Sequence, residues 1–267
     1  APILSMDAPS LKNLDAVSKL THSQKKAIQL VLTTSDRFIA IQGIAGAGKT
    51  TALKELKQQC LAAGFKTLVL ANTGGAKNEA QHSSGINSMT TAAFLTNVET
   101  LVKTDLMKAK RDYGDNQLII VDEASFVATP EMFRLETIAN QLNARLCSTG
   151  DFKQIGSIGR GDAFRDTLAY GITHAGMTEN VRLNDATAFA AMKSTYAGDI
   201  EKAIHFLKSR IEEIPIKSEA LQKVVEIYFL VRDLKKTDPL VIIPLNKDRD
   251  FVNNSIRKAR TEKGELT

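Results

Sequence analysis

The chain has 267 residues, 43% hydrophobic and 24% charged, with 6% aromatics and no Trp, a composition that excludes a disordered or low-complexity chain. No apolar run approaches the ~20 residues of a membrane-spanning helix, so no membrane insertion is expected. Thirty-five Lys and Arg against thirty Asp and Glu leave a net charge of +5, which suits a polyanionic partner but also simple solubility, so charge decides little.

At roughly 150 residues per domain, two domains are the starting expectation. Residues 1–19, with Pro2 and Pro9 and little periodicity, read as a linker. Thr21 and Gln24 form a capping box opening a helix with Ala27, Ile28 and Val31. Arg37–Ile41 reads as a strand running into a Gly-rich turn. A helix with Leu53, Leu56, Cys60 and Leu61 on one face follows and ends at Gly64. Further strands are expected at Thr67–Ala71, Leu118–Val121 and Arg145–Ser148, with helices around 76–82, 98–111 and 130–142. This alternation predicts a parallel sheet covered by helices on both faces, with ligands beyond the carboxyl ends of its strands. The remainder predicts helices at 186–197, 199–209 and Ser218–Lys235, a strand at Leu240–Ile243, and a basic helix capped by Asn246. A stripe of Phe251, Val252 and Ile256 reads as core on that helix.

Gly43-Ile44-Ala45-Gly46-Ala47-Gly48-Lys49-Thr50 satisfies the phosphate-loop pattern completely, between a strand and a helix as that motif requires. Small residues let backbone N–H groups curl around phosphate oxygens, and the helix adds its positive N-terminal end. Lys49 is expected to reach the β- and γ-phosphates, and Thr50 to hold Mg²⁺. ATP and Mg²⁺ are therefore the expected cofactors, with Thr51 next in the nucleotide-binding run.

Asp122-Glu123 ends a buried strand, where two carboxylates need a compensating cation. A nucleotide-bound Mg²⁺ supplies it, with Asp122 on the metal and Glu123 activating water. Gln154, in Gly150-Asp151-Phe152-Lys153-Gln154, follows the next strand and could contact both the γ-phosphate and that water.

Leu20–Gln24, the phosphate loop, Ala71-Asn72-Thr73-Gly74, Asp122–Ser125, Gly150–Gln154 and Thr178-Glu179-Asn180-Val181-Arg182 occur in this order. The series resembles superfamily 1 DNA helicases of the RecD type, above all the helicase part of conjugative relaxase–helicases of the TraI type. Thr34–Phe38 and Leu245–Arg249, with Asn253 and Arg257, extend the likeness over residues 20–266. The resemblance implies a first RecA-like ATP-binding domain at 20–175 and part of a second at 176–267. It implies that Gln24 bonds the adenine edge, Gln154 senses the γ-phosphate, Arg182 is an arginine finger and Thr73 touches single-strand phosphates. By the same resemblance the chain is an ATP-hydrolysing helicase moving 5′→3′ on single-stranded DNA in a bacterial cytoplasm. Relaxosome and type IV secretion components would be partners through a longer parent.

Four positions depart from the family pattern: Asn72 stands where Pro is common, Ile155-Gly156 replaces Leu-Pro, and Leu183 replaces Gln after Arg182. The family's later motifs do not occur before Thr267, so a fragment of a longer polypeptide is expected. Lys77 and Phe94 follow the DNA-contacting loop and combine charge with an aromatic platform; Phe152 and Arg160 are weaker candidates. His22, His82, His174 and His205 are dispersed, which offers no metal-dependent nicking site, and Cys60 and Cys147 suggest neither a disulfide scaffold nor a zinc site. Two other functions remain open: a non-catalytic helicase-like scaffold for single-stranded DNA or secretion recognition, and a phosphate-loop kinase or small-molecule ATPase.

Overall fold

The computed structural model describes residues 1–4, 14, 17 and 19–266. Two compact units divide the chain, Ala1–Phe189 and Ala190–Thr267. Most of the expected linker lies outside the described residues. Those of it that are described include Ile3 and Leu14, both buried in the core, and Leu4, whose N–H donates to the Leu32 carbonyl at 2.8 Å.

The first unit carries a six-stranded sheet with strand order β3-β2-β4-β5-β1-β6 and every pairing parallel. In chain order its elements are α1 (His22–Thr33), β1 (Phe38–Gly43), α2 (Lys49–Ala62), β2 (Lys66–Ala71), α3 (Gly74–Ser84) and β3 (Asn87–Thr90). They continue with α4 (Thr91–Thr104), α5 (Leu106–Tyr113), β4 (Gln117–Val121), α6 (Thr129–Leu142), β5 (Arg145–Gly150), α7 (Ala163–Ala169) and β6 (His174–Met177).

Alternate strand residues face opposite layers, as a pleated strand requires. Ile39, Ile41, Val69, Leu118, Ile120 and Cys147 pack with α1 and α2, while Ala40, Leu68, Leu70, Ile119, Val121 and Leu146 pack with α4 and α6. All five residues of β4 are buried, which accounts for its unbroken apolar run. The RecA-like arrangement expected from the sequence is thus the arrangement observed.

Three elements escape the sequence reading, for two reasons. β3 and β6 form the two edges of the sheet, and their sequences, Asn-Ser-Met-Thr and His-Ala-Gly-Met, lack the apolar run of a central strand; α7 has only seven residues. The helix expected over 98–111 is two helices. Asp105 leaves the helical conformation and accepts the Lys108 N–H at 2.9 Å, capping α5. The unit division falls after the expected boundary at 175/176 because β6 joins β1, and the Val181 N–H donates to the Gly46 carbonyl at 2.9 Å.

The second unit begins within α8 (Ala186–Ala197), which is followed by α9 (Ile200–Leu207), α10 (Lys217–Lys235) and α11 (Asn246–Glu262). Tyr228 and Val252 are buried where α10 meets α11. Arg232 and Arg260 each pair with both Asp238 and Glu265, at 2.6 to 3.2 Å. Within the expected apolar stripe Val252 is buried, Ile256 half-buried and Phe251 exposed. Leu240–Ile243 is not a strand: no strand lies beside it among the described residues, and Leu240 and Ile242 are exposed. Asn246 begins α11 without capping it, since Leu245 holds the cap position and no side chain bonds there.

Candidate nucleotide-binding site

The phosphate loop joins β1 to the first turn of α2. Gly46 and Gly48 take the left-handed conformation, at φ +77° and +73°, which favours glycine. A Cβ on Gly46 would stand 2.4 Å from Asn180 Nδ2, and one on Gly48 2.5 Å from Gln24 Nε2. The glycines are therefore fixed from outside the loop as well as by backbone conformation.

Three consecutive loop carbonyls have partners outside the loop. The Asn180 side-chain amide donates to Ala45 O at 2.7 Å, the Val181 N–H to Gly46 O at 2.9 Å and Gln24 Nε2 to Ala47 O at 2.7 Å. Backbone oxygens tied outward leave the concave side of the loop to N–H groups, the arrangement that attracts an anion. The hollow has a volume of about 290 Å³ and is lined by Ile44–Thr50, α3 residues including Glu79, and Asp122, Glu123, Gln154 and Arg182. Gly43 and Thr51 do not line it. Gly43 instead leaves room for Lys49, whose Cγ would lie 3.1 Å from an added Cβ.

Gln24 reaches the loop from α1. It is 1% exposed; its Oε1 accepts the Thr21 N–H at 2.9 Å, completing the capping box, while Nε2 serves the loop. With both ends of the amide engaged, the side chain braces the loop.

Asp122 and Glu123 leave β4 opposite Lys49, whose ammonium lies 3.3 Å from the Glu123 carboxylate. Asp122 Oδ1 accepts from the Thr149 hydroxyl at 2.9 Å and from the Glu123 N–H at 3.0 Å; Oδ2 accepts nothing among the described residues. Glu123 sits at φ +50°, an unusual conformation for a residue with a Cβ, and Asn72 Nδ2 donates to its carbonyl at 3.2 Å. A proline at position 72 has no donor for that bond. Asn72 is thus a departure from the family pattern with a local structural use.

Among the described residues, no group of three or more His, Cys, Asp and Glu gathers to hold a metal unaided. Mg²⁺ is commonly held by one or two carboxylates together with phosphate oxygens, and the Thr50 and Asp122 donor set fits that pattern.

Gln154 lines the hollow with Nε2 donating to Asp151 Oδ2 at 3.2 Å. Asp151, 1% exposed, also accepts from Gln42 Nε2 at 2.8 Å and the Lys153 N–H at 3.1 Å, so the Gln154 turn is tied to the residue preceding Gly43. Arg182 also lines the hollow, and its guanidinium makes no hydrogen bond or ion pair among the described residues.

The DNA candidates separate. Thr73 is exposed and caps α3, its hydroxyl oxygen accepting the Ala76 N–H at 3.1 Å; Lys77 follows on that helix, half-buried. Phe94 is fully buried, edge-on to Tyr113 with ring centroids 6.2 Å apart, so it belongs to the core and offers no stacking platform. An apolar hollow of about 450 Å³, sharing Ala76, Asp122 and Glu123 with the first, holds Thr73, Phe126 and Ile158. Phe126 is 42% exposed and lies three residues after Glu123, a placement the sequence reading missed.

Residues 19–214 match a family described as an AAA domain. The probable conjugal transfer protein TraA of Sinorhizobium fredii is 27% identical over 92% of this chain, and the multifunctional conjugation protein TraI of Escherichia coli is 26% identical over 94%. The chain spans about a fifth of the length of these curated relatives, 22% and 17% respectively. Among solved structures, the Pif1 helicase of Candida albicans has a similar fold, with a TM-score of 0.55 and 19% identity over 88% of this chain and 61% of that one. The chain belongs to the AAA domain family and is similar to the conjugation proteins TraI and TraA.

Proposed function

We propose that this chain is the ATP-hydrolysing part of a motor that moves 5′→3′ along single-stranded DNA during conjugative transfer. The observation that carries this reading is the meeting of a backbone-amide hollow, Lys49 and the Asp122-Glu123 pair at the carboxyl edge of the sheet. Loop amides and Lys49 hold the phosphates, and Thr50 and Asp122 share Mg²⁺. When bound, the metal neutralises charge on the triphosphate and its leaving group. Glu123 accepts the proton of the attacking water, Gln154 contacts the terminal phosphate, and Arg182 stabilises charge that develops in the transition state.

Single-stranded DNA crosses the surface around Thr73 and Lys77, where phosphate contacts provide most of the affinity. Exposed Phe126 supplies an apolar face for base stacking. Relaxosome and secretion partners are engaged by the parent protein in the bacterial cytoplasm.

ATP turnover measured with and without an oligo-dT strand, over a salt series, tests the reading. DNA-stimulated turnover that falls as salt weakens DNA binding supports it. Nucleotide-independent DNA binding without turnover supports the scaffold function, and turnover indifferent to DNA supports a small-molecule ATPase or kinase.

A further inference from the structure

We propose that Asn180 is a positioning residue that couples the phosphate loop to Arg182. The inference rests on the nucleotide reading above and assigns to a neutral side chain the task of placing the site's cation. Asn180 sits between two structures that must agree for hydrolysis. Its Nδ2 donates to Ala45 O in the loop at 2.7 Å, and its Oδ1 accepts from the Arg182 and Leu183 N–H groups at 3.0 and 2.8 Å. One planar amide therefore fixes the loop on one side and the backbone carrying Arg182 on the other.

The neighbouring contacts make that amide the middle of a continuous seam. Ile44 N–H donates to Met177 O at 3.2 Å, and Val181 N–H to Gly46 O at 2.9 Å. Glu179 is seated at the start of α1, accepting the Thr21 hydroxyl at 3.1 Å and the Ser23 N–H at 3.3 Å, with the Ser23 hydroxyl also bonded to it. Segment 177–183 is held on both flanks of Asn180, so a movement of the Ala45 carbonyl has little slack to absorb it before reaching Arg182. The amide is seated against Gly46 in the space a side chain there would fill, since an added Cβ would fall 2.4 Å from Asn180 Nδ2.

The test compares calorimetric affinities for Mg-ADP with and without aluminium fluoride, a probe of transition-state charge that needs no turnover. In the 267-residue chain, R182A is expected to reduce the gain in affinity that aluminium fluoride provides. N180A should reduce it about 100-fold, the order that follows ångström-scale displacement of a reacting group, with Mg-ADP affinity changed less than about threefold. The double variant should lose no more than R182A alone, the signature of acting through Arg182. N180D keeps an acceptor for both N–H groups but cannot donate to Ala45 O, and should lose about as much as N180A. It also covers the case in which N180A does not fold.

Full additivity in the double variant, a wild-type gain in N180D, or an equal loss of Mg-ADP affinity itself would each overturn the coupling. Failure of the wild-type chain to bind Mg-ADP at all, or undiminished binding in K49A, overturns the nucleotide reading and the coupling with it. Binding with an additive cycle overturns the coupling alone.

Discussion

The Thr149 hydroxyl donates to Asp122 Oδ1 across 2.9 Å, joining the ends of adjacent strands β5 and β4. The Glu123 N–H falls on the same oxygen, so both bonds turn one side of the carboxylate inward and leave Oδ2 for a cation. Thr149 is 1% exposed and its hydroxyl is placed to orient Asp122 without reaching the ligand itself.

Thr149→Val keeps the shape and removes this bond. Partners of metal-binding carboxylates are typically worth 10- to 100-fold in metal affinity. The Mg²⁺ concentration for half-maximal ATP turnover should rise about tenfold, while nucleotide binding in EDTA stays unchanged. An unaltered Mg²⁺ titration would remove Thr149 from the site.

Glu123→Gln should preserve Mg-ATP binding and lower turnover about 10²- to 10⁴-fold, the usual contribution of a positioned general base. Single-turnover hydrolysis beside equilibrium binding separates the two effects. Loss of binding with normal turnover of the bound fraction would assign Glu123 to ground-state binding through Lys49.

Asn72 holds the carbonyl of Glu123, whose left-handed backbone costs on the order of 1–3 kcal/mol. Asn72→Ala should therefore lower kcat about tenfold with KM little changed, since Glu123 loses its support while the phosphate loop keeps its own. A rise in KM without loss of kcat would contradict this assignment.

Burial raises the thiols of Cys60 and Cys147 from 9.0 to about 12, by loss of hydration offset only partly by the charge of Arg145. The folded state thus binds these protons more tightly than the unfolded chain. Their contribution to stability is complete below pH 9 and is lost as pH rises from 9 toward 12. Urea unfolding of the wild type and of C60A/C147A should show a smaller alkaline decline in the variant. Equal slopes would show that other groups govern that range.

The legible parts of the sequence were those whose signal is local. The apolar run of β4 requires burial on both faces, and two of the phosphate-loop glycines take a left-handed backbone, so strand, turn and helix could be read in place. Edge strands β3 and β6 carry no such run, and their pairing depends on partners far along the chain. The same limit explains Gln24 and Asn180. An amide suits a base edge and a backbone carbonyl equally well, and only the docking of α1 and of 177–183 beside the loop shows that both amides face the loop. Phe94 failed as a DNA candidate because the face of α4 it occupies is the one turned to the core.

The most direct measurement is a crystal structure of the chain with Mg²⁺ and a non-hydrolysable ATP analogue. The account predicts β- and γ-phosphates against the Gly46–Thr50 amides, Lys49 Nζ within hydrogen-bond reach of them, and the metal between Thr50 and Asp122. Analogue bound elsewhere, or a metal that leaves Asp122 uncoordinated, would contradict it.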